Sequence, residues 1–297
     1  MRQPSELLKY ISGYQAKIPF GITEIDYAAF SNTDISSVTL PFTVKRICEL
    51  AFYNCRNLVG ITIPDSVTEI EKEAFASCTG LDSLSFENGI EKIGQGAFRQ
   101  CTGLQRLSFP NSLIEIGPEA FEYCTSVRFI QIPRNVSKIG KLAFCDTTSL
   151  ISFTVSPDNK YFCSINNCLL SKDGRELLFG FQKSEIPDCV TRIGSCAFYN
   201  CESLSSVIIP SNVKVIGSHA FSGCRFLSSI IIPDSVTKIE EYAFSGCSGA
   251  IYLKIPKSVK VIEKHAFSGC KGILYTDIED GERTIGEDAF YDCPVQL

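Results

Sequence analysis

One pattern dominates this chain: V-x-x-I-x-x-x-A-F-x-x-C-x-x-L-x-x-L-x-Φ, with Φ apolar. It is written out from Val67 to Phe86 and copied along nearly all of the 297 residues. Its Ala-Phe pair ends at Phe30, Phe52, Phe75, Phe98, Phe121, Phe144, Phe198, Phe221, Phe244, Phe267 and Phe290, which makes eleven copies, and eight of the ten intervals are 23 residues. A unit this short cannot enclose a core of its own, so it must lay its apolar face against the next copy. The result is a solenoid in which equivalent side chains form columns along the stack, and the Phe positions are expected to make one inward column.

Two kinds of local pattern alternate within each copy. In Leu104-Gln105-Arg106-Leu107-Ser108-Phe109-Pro110 the closing alternation of apolar and polar residues reads as a strand with one buried face. Proline stops the run here and in Ile63-Pro64, Ile132-Pro133, Ile209-Pro210, Ile232-Pro233 and Ile255-Pro256, because it has no N–H to give a ladder. The following V-x-x-I, as in Val213 to Ile216, reads as a second short strand, with Gly117 or Gly217 allowing the next turn. The A-F-x-x-C box reads as a single helical turn, since Phe98 and Cys101 would share one helical face.

Residues 1–14 read as an N-terminal helical cap: Ser5 serves as N-cap, the helix runs through Ile11 and ends near Gly13, and Leu7, Leu8 and Ile11 cover the open end of the first coil. The solenoid then occupies 15–297, interrupted by an insertion at about 156–187, where the interval from Phe144 to Phe198 lengthens to 54 residues. Inside it, Asp173-Gly174 joins two apolar runs and predicts a β-hairpin, because both central residues of a type I′ turn need positive φ. Insertions in repeat proteins map to one face, so this hairpin is expected to decorate the solenoid's edge.

Cysteine is the conspicuous reactive residue, with fifteen present. Cys55, Cys78, Cys101, Cys124, Cys201, Cys224, Cys247, Cys270 and Cys293 share the repeat position three after the Phe, with Thr33 and Thr147 in the same place in two copies. Side chains stacked in parallel converge poorly for disulfides, and cysteine is a common small buried residue, so these read as reduced core thiols. Cys48, Cys145, Cys163, Cys168, Cys189 and Cys196 lie off the ladder, and none forms a C-x-x-C pair that would pre-form half a zinc site. The expectation is therefore no metal and no cofactor. No P-loop, G-x-S-x-G, H-E-x-x-H or dinucleotide fingerprint occurs either. The two histidines, His219 and His265, stand two coils apart with Tyr242 at the same place between them, about 10 Å by strand spacing and too far to share an ion. A net charge of -5 argues against nucleic-acid partners, and no apolar run is long enough to span a membrane.

Taken together, L-x-x-L-x-Φ-P and V-x-x-I-G-x-x-A-F-x-x-C resemble the BspA-like leucine-rich repeat family of bacterial and protist surface proteins. The resemblance covers 22–297 apart from the insertion. It implies a right-handed β-rich (β/α) superhelix of leucine-rich-repeat type with a parallel sheet on the concave face. It also implies a non-enzymatic module for protein binding or adhesion at the cell surface or outside the cell, with a protein or glycan as ligand. Met1 to Tyr10 has no apolar segment of signal-peptide length, so an intracellular leucine-rich-repeat scaffold or regulatory protein is the alternative reading.

The informative residues are those the repeat leaves variable, the outward places of L-x-x-L-x-Φ. Two groups stand out: Arg106, Arg128, Phe129 and Gln131 form a basic and aromatic spot, while Ile208, Ile231, Ile251, Tyr252, Leu274 and Tyr275 form an apolar stripe bordered by Lys254 and Asp277. Tyr and Arg are enriched as binding anchors, and contiguous exposed apolar surface marks interaction sites, so these residues are the candidate ligand-binding face.

Overall fold

Within each unit the coils are held to one another by backbone hydrogen bonds, because segments of one copy find partners in adjacent copies. The computed structural model describes residues 6–202, 204–249, 252–271, 273–276 and 283–296, with the backbone alone for Ser229, Tyr252, Leu253, 273–276 and 295–296. The chain divides into two compact units, Met1–Tyr161 and Phe162–Leu297.

In the first unit the L-x-x-L-x-Φ segments form the longer strands. Gln15–Lys17, Ser37–Thr39, Gly60–Ile63 and Ser83–Phe86 pair in parallel, and Arg106–Ser108, Phe129–Ile132 and Ser152–Val155 form a second parallel run. Alternation decides the faces: Leu107, Ile130 and Phe153 stand side by side in the ladder and are buried, whereas Arg106, Ser108, Phe129 and Gln131 are exposed. The V-x-x-I segments supply a second wall, a six-stranded parallel sheet of two-residue strands from Glu24–Ile25 to Lys138–Ile139. The repeat solenoid expected from the pattern is thus present as parallel sheets with little helix, a single 3-10 segment at Glu6–Tyr10 among the described residues.

The A-F-x-x-C wall differs from the helical turn expected. The residue before Ala and the residue two after Phe adopt left-handed φ, as at Ala28 and Asn32 (φ 51 and 60) and at Leu50 and Asn54 (φ 59 and 58). Alternate N–H groups then point at the neighbouring coil: those of Ala28, Phe30 and Asn32 donate to the carbonyls of Glu49, Ala51 and Tyr53 at 3.0, 2.7 and 2.8 Å. A lone helical turn is costly to nucleate and turns its N–H groups inward, which would leave this wall without coil-to-coil bonds. The left-handed place also explains why Asn, Asp or Gly so often precedes the ladder cysteine, as at Asn54, Asn200, Gly223 and Asp292. The glycines after V-x-x-I serve close approach rather than the turn: a Cβ on Gly117 would lie 2.7 Å from the Gly94 carbonyl carbon of the preceding coil.

The N-terminal cap is a shorter helix than expected, with a hairpin added. Ser5 lies outside the described residues; Leu7 is buried, and Ile11–Ser12 pairs antiparallel with Gln15–Lys17 around Gly13 (φ 59). The hairpin gives the first parallel strand a partner on its open side.

In the second unit the insertion is larger and more integral than a decorating hairpin. Phe162–Ile165, Cys168–Ser171 and Glu176–Phe179 form an antiparallel meander, turning at Asn166 and Asn167 (φ 50 and 60) and again at Gly174 (φ 73). Glu176–Phe179 then pairs in parallel with Arg192–Ile193, so the insertion heads an eight-stranded sheet, and Cys168, Leu170 and Leu177 enter the unit's core.

Within each unit the phenylalanines stack. Ring centroids lie 4.9 to 5.8 Å apart from Phe30 to Phe144, and 5.1 to 5.6 Å apart from Phe198 to Phe290, all nearly parallel. That spacing follows the strand separation of about 4.8 Å, with the rings offset as aromatic pairs prefer. Phe98 is fully buried between Phe75 and Phe121. Phe98→Ala is expected to destabilise the fold by about 3–5 kcal/mol, read as a lowered midpoint in urea unfolding, with the loss concentrated in its own and adjacent coils.

Candidate ligand-binding face

The longer strands present their polar places outward on a rigid support. In the first unit Phe129, 39% exposed, stands in register between Arg106 and Ser152, and Gln131 between Ser108 and Thr154. Arg128 precedes the strand; its N–H donates to Gln105 O at 2.9 Å, while its own carbonyl accepts from the N–H groups of Ile151 and Ser152. The Arg106 guanidinium carbon lies 5.5 Å from the centre of the Phe129 ring and that of Arg128 5.8 Å, so two cations flank one aromatic face. Neither arginine has an ion-pair partner among the described residues. A shallow depression of about 390 Å³ opens here, lined by Arg106, Ser108, Phe129, Gln131, Ser152 and Thr154. Of the sequence-predicted spot, Arg106, Phe129 and Gln131 come together at it, and Arg128 stands against its aromatic wall.

In the second unit Ile208 and Ile231 are 85% and 73% exposed and directly paired, with Lys254 and then Tyr275 continuing their column. Tyr252 pairs with Ser229 on one side and with Ile273 on the other. Leu274 does not take the outward place that a 23-residue count assigns it. It pairs with Leu253, in the column of the buried Val207 and Ile230. The strand Ile273–Thr276 has slipped by two residues, which preserves the alternation of faces while aligning Leu274, not Thr276, with Leu253. Ile251 and Asp277 lie outside the described residues. The structure also adds residues that strand periodicity could not name: Asn166, Ser184, Glu185 and Pro187 from the insertion join Ile208 and Pro210 around a depression of about 440 Å³. Their only sequence signal was that they belong to the one segment outside the repeat.

The ladder thiols are engaged elsewhere. Cys78, Cys101 and Cys124 are buried, and each donates its S–H to the carbonyl of the repeat Phe in the preceding coil, Phe52, Phe75 and Phe98, at 3.1 to 3.2 Å. The position thus holds a small donor as well as a small apolar group, and Thr147 in the same place donates instead to Phe144 O of its own coil at 2.9 Å. No cysteine is in a disulfide. Burial pushes the Cys124 thiol up to about 12, so it stays protonated at neutral pH. Cys224 is likewise buried and donates to Phe198 O at 3.1 Å. The His219 and His265 rings stack on the two sides of Tyr242, each 4.8 Å from it. Among the described residues no helix is long and apolar enough to cross a membrane.

The profile of the BspA type leucine rich repeat region matches residues 23–151 and 178–296 in six copies. A leucine rich cell surface protein from Faecalibacterium prausnitzii A2-165 has a solved structure that is similar, with 26% identity, TM-score 0.69, and coverage of 95% of this chain and 87% of that one. The Pneumococcal vaccine antigen PcpA shares the fold at 22% identity and TM-score 0.67, over 96% and 79% of the two chains. A leucine-rich repeat protein from Bacteroides ovatus aligns at 27% identity and TM-score 0.52, over 94% and 85%. No curated protein matches the chain.

Because Arg128 and Ile231 point away from the core, Arg128→Ala and Ile231→Thr are each expected to change folding stability by about 0.5 kcal/mol or less in urea unfolding, in contrast to the inward Phe column.

Proposed function

Since this chain belongs to the BspA type leucine-rich repeat family, we propose that it is a non-enzymatic binding module of adhesin type, which uses the exposed face of its longer strands to hold a protein or glycan ligand. The observation that carries this reading is the Arg106–Phe129–Arg128 group above its depression, two arginines with no acidic partner among the described residues flanking a partly exposed aromatic ring. Such a group supplies the planar donor forks that recognise carboxylate or sulfate, together with an apolar surface for a side chain or the C–H face of a sugar. Gln131 and the hydroxyls of Ser108, Ser152 and Thr154 add hydrogen-bonding capacity around it. The Phe129–Ile132 strand beneath is tied into ladders on both sides, so little of its backbone freedom remains to be lost on binding. In the second unit, Ile208 and Ile231 offer an apolar contact of the kind a protein ligand would cover. A place at the cell surface is supported by the F. prausnitzii relative, whose protein is described as a cell surface protein.

The test is a binding screen of the full chain against extracellular-matrix proteins and acidic and neutral glycans, followed by surface plasmon resonance on the hits. Arg128→Ala combined with Phe129→Ala is expected to weaken a bound ligand by about 30-fold or more, as loss of a hot spot does. Raised salt should weaken it further if the ligand is acidic. Affinity unchanged by that double variant and by Ile208→Ser with Ile231→Ser would move binding off this face and refute the assignment.

A further inference from the structure

The coil of Phe144 departs from the repeat in a way its core does not require. Its ladder place holds Thr147, whose hydroxyl donates to Phe144 O of its own coil, where the ladder cysteine Cys124 donates to the Phe carbonyl of the preceding coil. A cysteine appears instead two residues earlier, at Cys145, where other copies carry Ser, Tyr, Ala, Arg or Glu. Cys145 is 3% exposed, and its Sγ donates to Asp146 Oδ2 at 3.3 Å. At the same repeat place one coil earlier stands Glu122, 9% exposed. One ligand atom each from Glu122, Cys145 and Asp146 lies within 4.8 Å of the other two.

Glu122 is the observation that separates this group from an ordinary acidic cluster. Glu122 as a residue is nine-tenths buried, and its side chain has no hydrogen bond or ion pair among the described residues. The like charges of Glu119 and Asp146 bear on it, and Arg99, the one cation opposing them, is itself 3.8 Å from Glu119. A buried carboxylate in that position is costly unless a cation or a proton neutralises it.

We propose that Glu122, Cys145 and Asp146 form a binding site for a borderline divalent cation of the zinc type. A thiolate with two carboxylates matches that ion's preference for mixed sulfur and oxygen ligands, and a water would complete four-coordination on the partly exposed side of Asp146. Metal–ligand distances of about 2.0–2.3 Å require the three side chains to close by roughly an ångström, within the reach of small rotations. Binding converts the Cys145 thiol to thiolate and releases its proton to solvent, so affinity falls as pH is lowered. The ligands come from two coils and are 23 and 24 residues apart, so no local motif announces the site.

Cobalt(II) titration of the metal-free full chain tests it, with zinc as competitor. The expected result is a sulfur-to-cobalt charge-transfer band that saturates at one equivalent, disappears on adding zinc, and is absent in Cys145→Ser. Glu122→Gln and Asp146→Asn should each weaken cobalt binding by about tenfold or more. Asn tolerates left-handed φ, so the second of these keeps the backbone at 146 (φ 58) and provides a folded variant even if Cys145→Ser does not fold. A band that survives Cys145→Ser, the lack of any band in the unmodified protein, or unchanged affinity in both carboxylate variants would overturn the proposal.

Discussion

Backbone hydrogen bonding between neighbouring coils is the constraint on which the rest of this structure depends. All three walls of a coil take part: the longer strands, the two-residue strands and the A-F-x-x-C ribbon with its alternating left-handed residues. Once strands are spaced about 4.8 Å apart, every repeated side chain must sit against its own kind one coil away. Phenylalanine suits that arrangement because its rings can stack at the imposed separation, and the thiol suits it because it fills a small space while giving a proton to a carbonyl that lies in the core. Charged residues obey the same spacing, as Glu69 with Lys92 at 2.9 Å and Glu115 with Lys138 at 2.8 Å show on the two-residue-strand wall. These exposed pairs add little stability individually; their importance is that like charges stacked at this distance would repel.

The same geometry separates stability from recognition. Inward places are filled by Phe, Ile, Leu, Val, Ala and Cys and tolerate little change, whereas outward places on the longer strands vary from copy to copy without disturbing the ladder beneath. Side chains such as Arg106, Arg128 and Phe129 are thereby presented on a support hydrogen-bonded to its neighbouring strands. The insertion extends this economy to the second unit. By pairing Glu176–Phe179 with Arg192–Ile193 it gives the sheet a partner on its first edge, and it also brings Asn166 and Glu185 beside Ile208.

Much of this was legible in the residues. The Phe column and the thiol ladder follow from one repeat position occupied in copy after copy, and the outward character of Arg106, Phe129, Ile208 and Ile231 follows from strand alternation. The A-F-x-x-C wall was misread as a helical turn, since a spacing of three is shared by a helix face and by successive turns; the Asn, Asp and Gly at the left-handed place were the overlooked signal. Asp173-Gly174 marks only one of the two turns in the insertion; the other is at Asn166-Asn167, where Asn also tolerates positive φ, so the expected two strands are a meander of three.

By itself, then, the sequence determined the kind of fold, the period of its coils and which positions face in, because those depend only on a pattern repeated in phase. Tertiary structure alone decided which residue of one coil lies beside which residue of the next where the pattern is broken. Leu274 rather than Thr276 pairs with Leu253 because the strand slips by two residues, a shift that keeps the alternation of faces. Glu122 meets Cys145 and Asp146 because one turn of the solenoid carries the chain through 23 residues and back to the same wall. Neither adjacency is a property of any short stretch of chain, and both arise only when the coils are stacked.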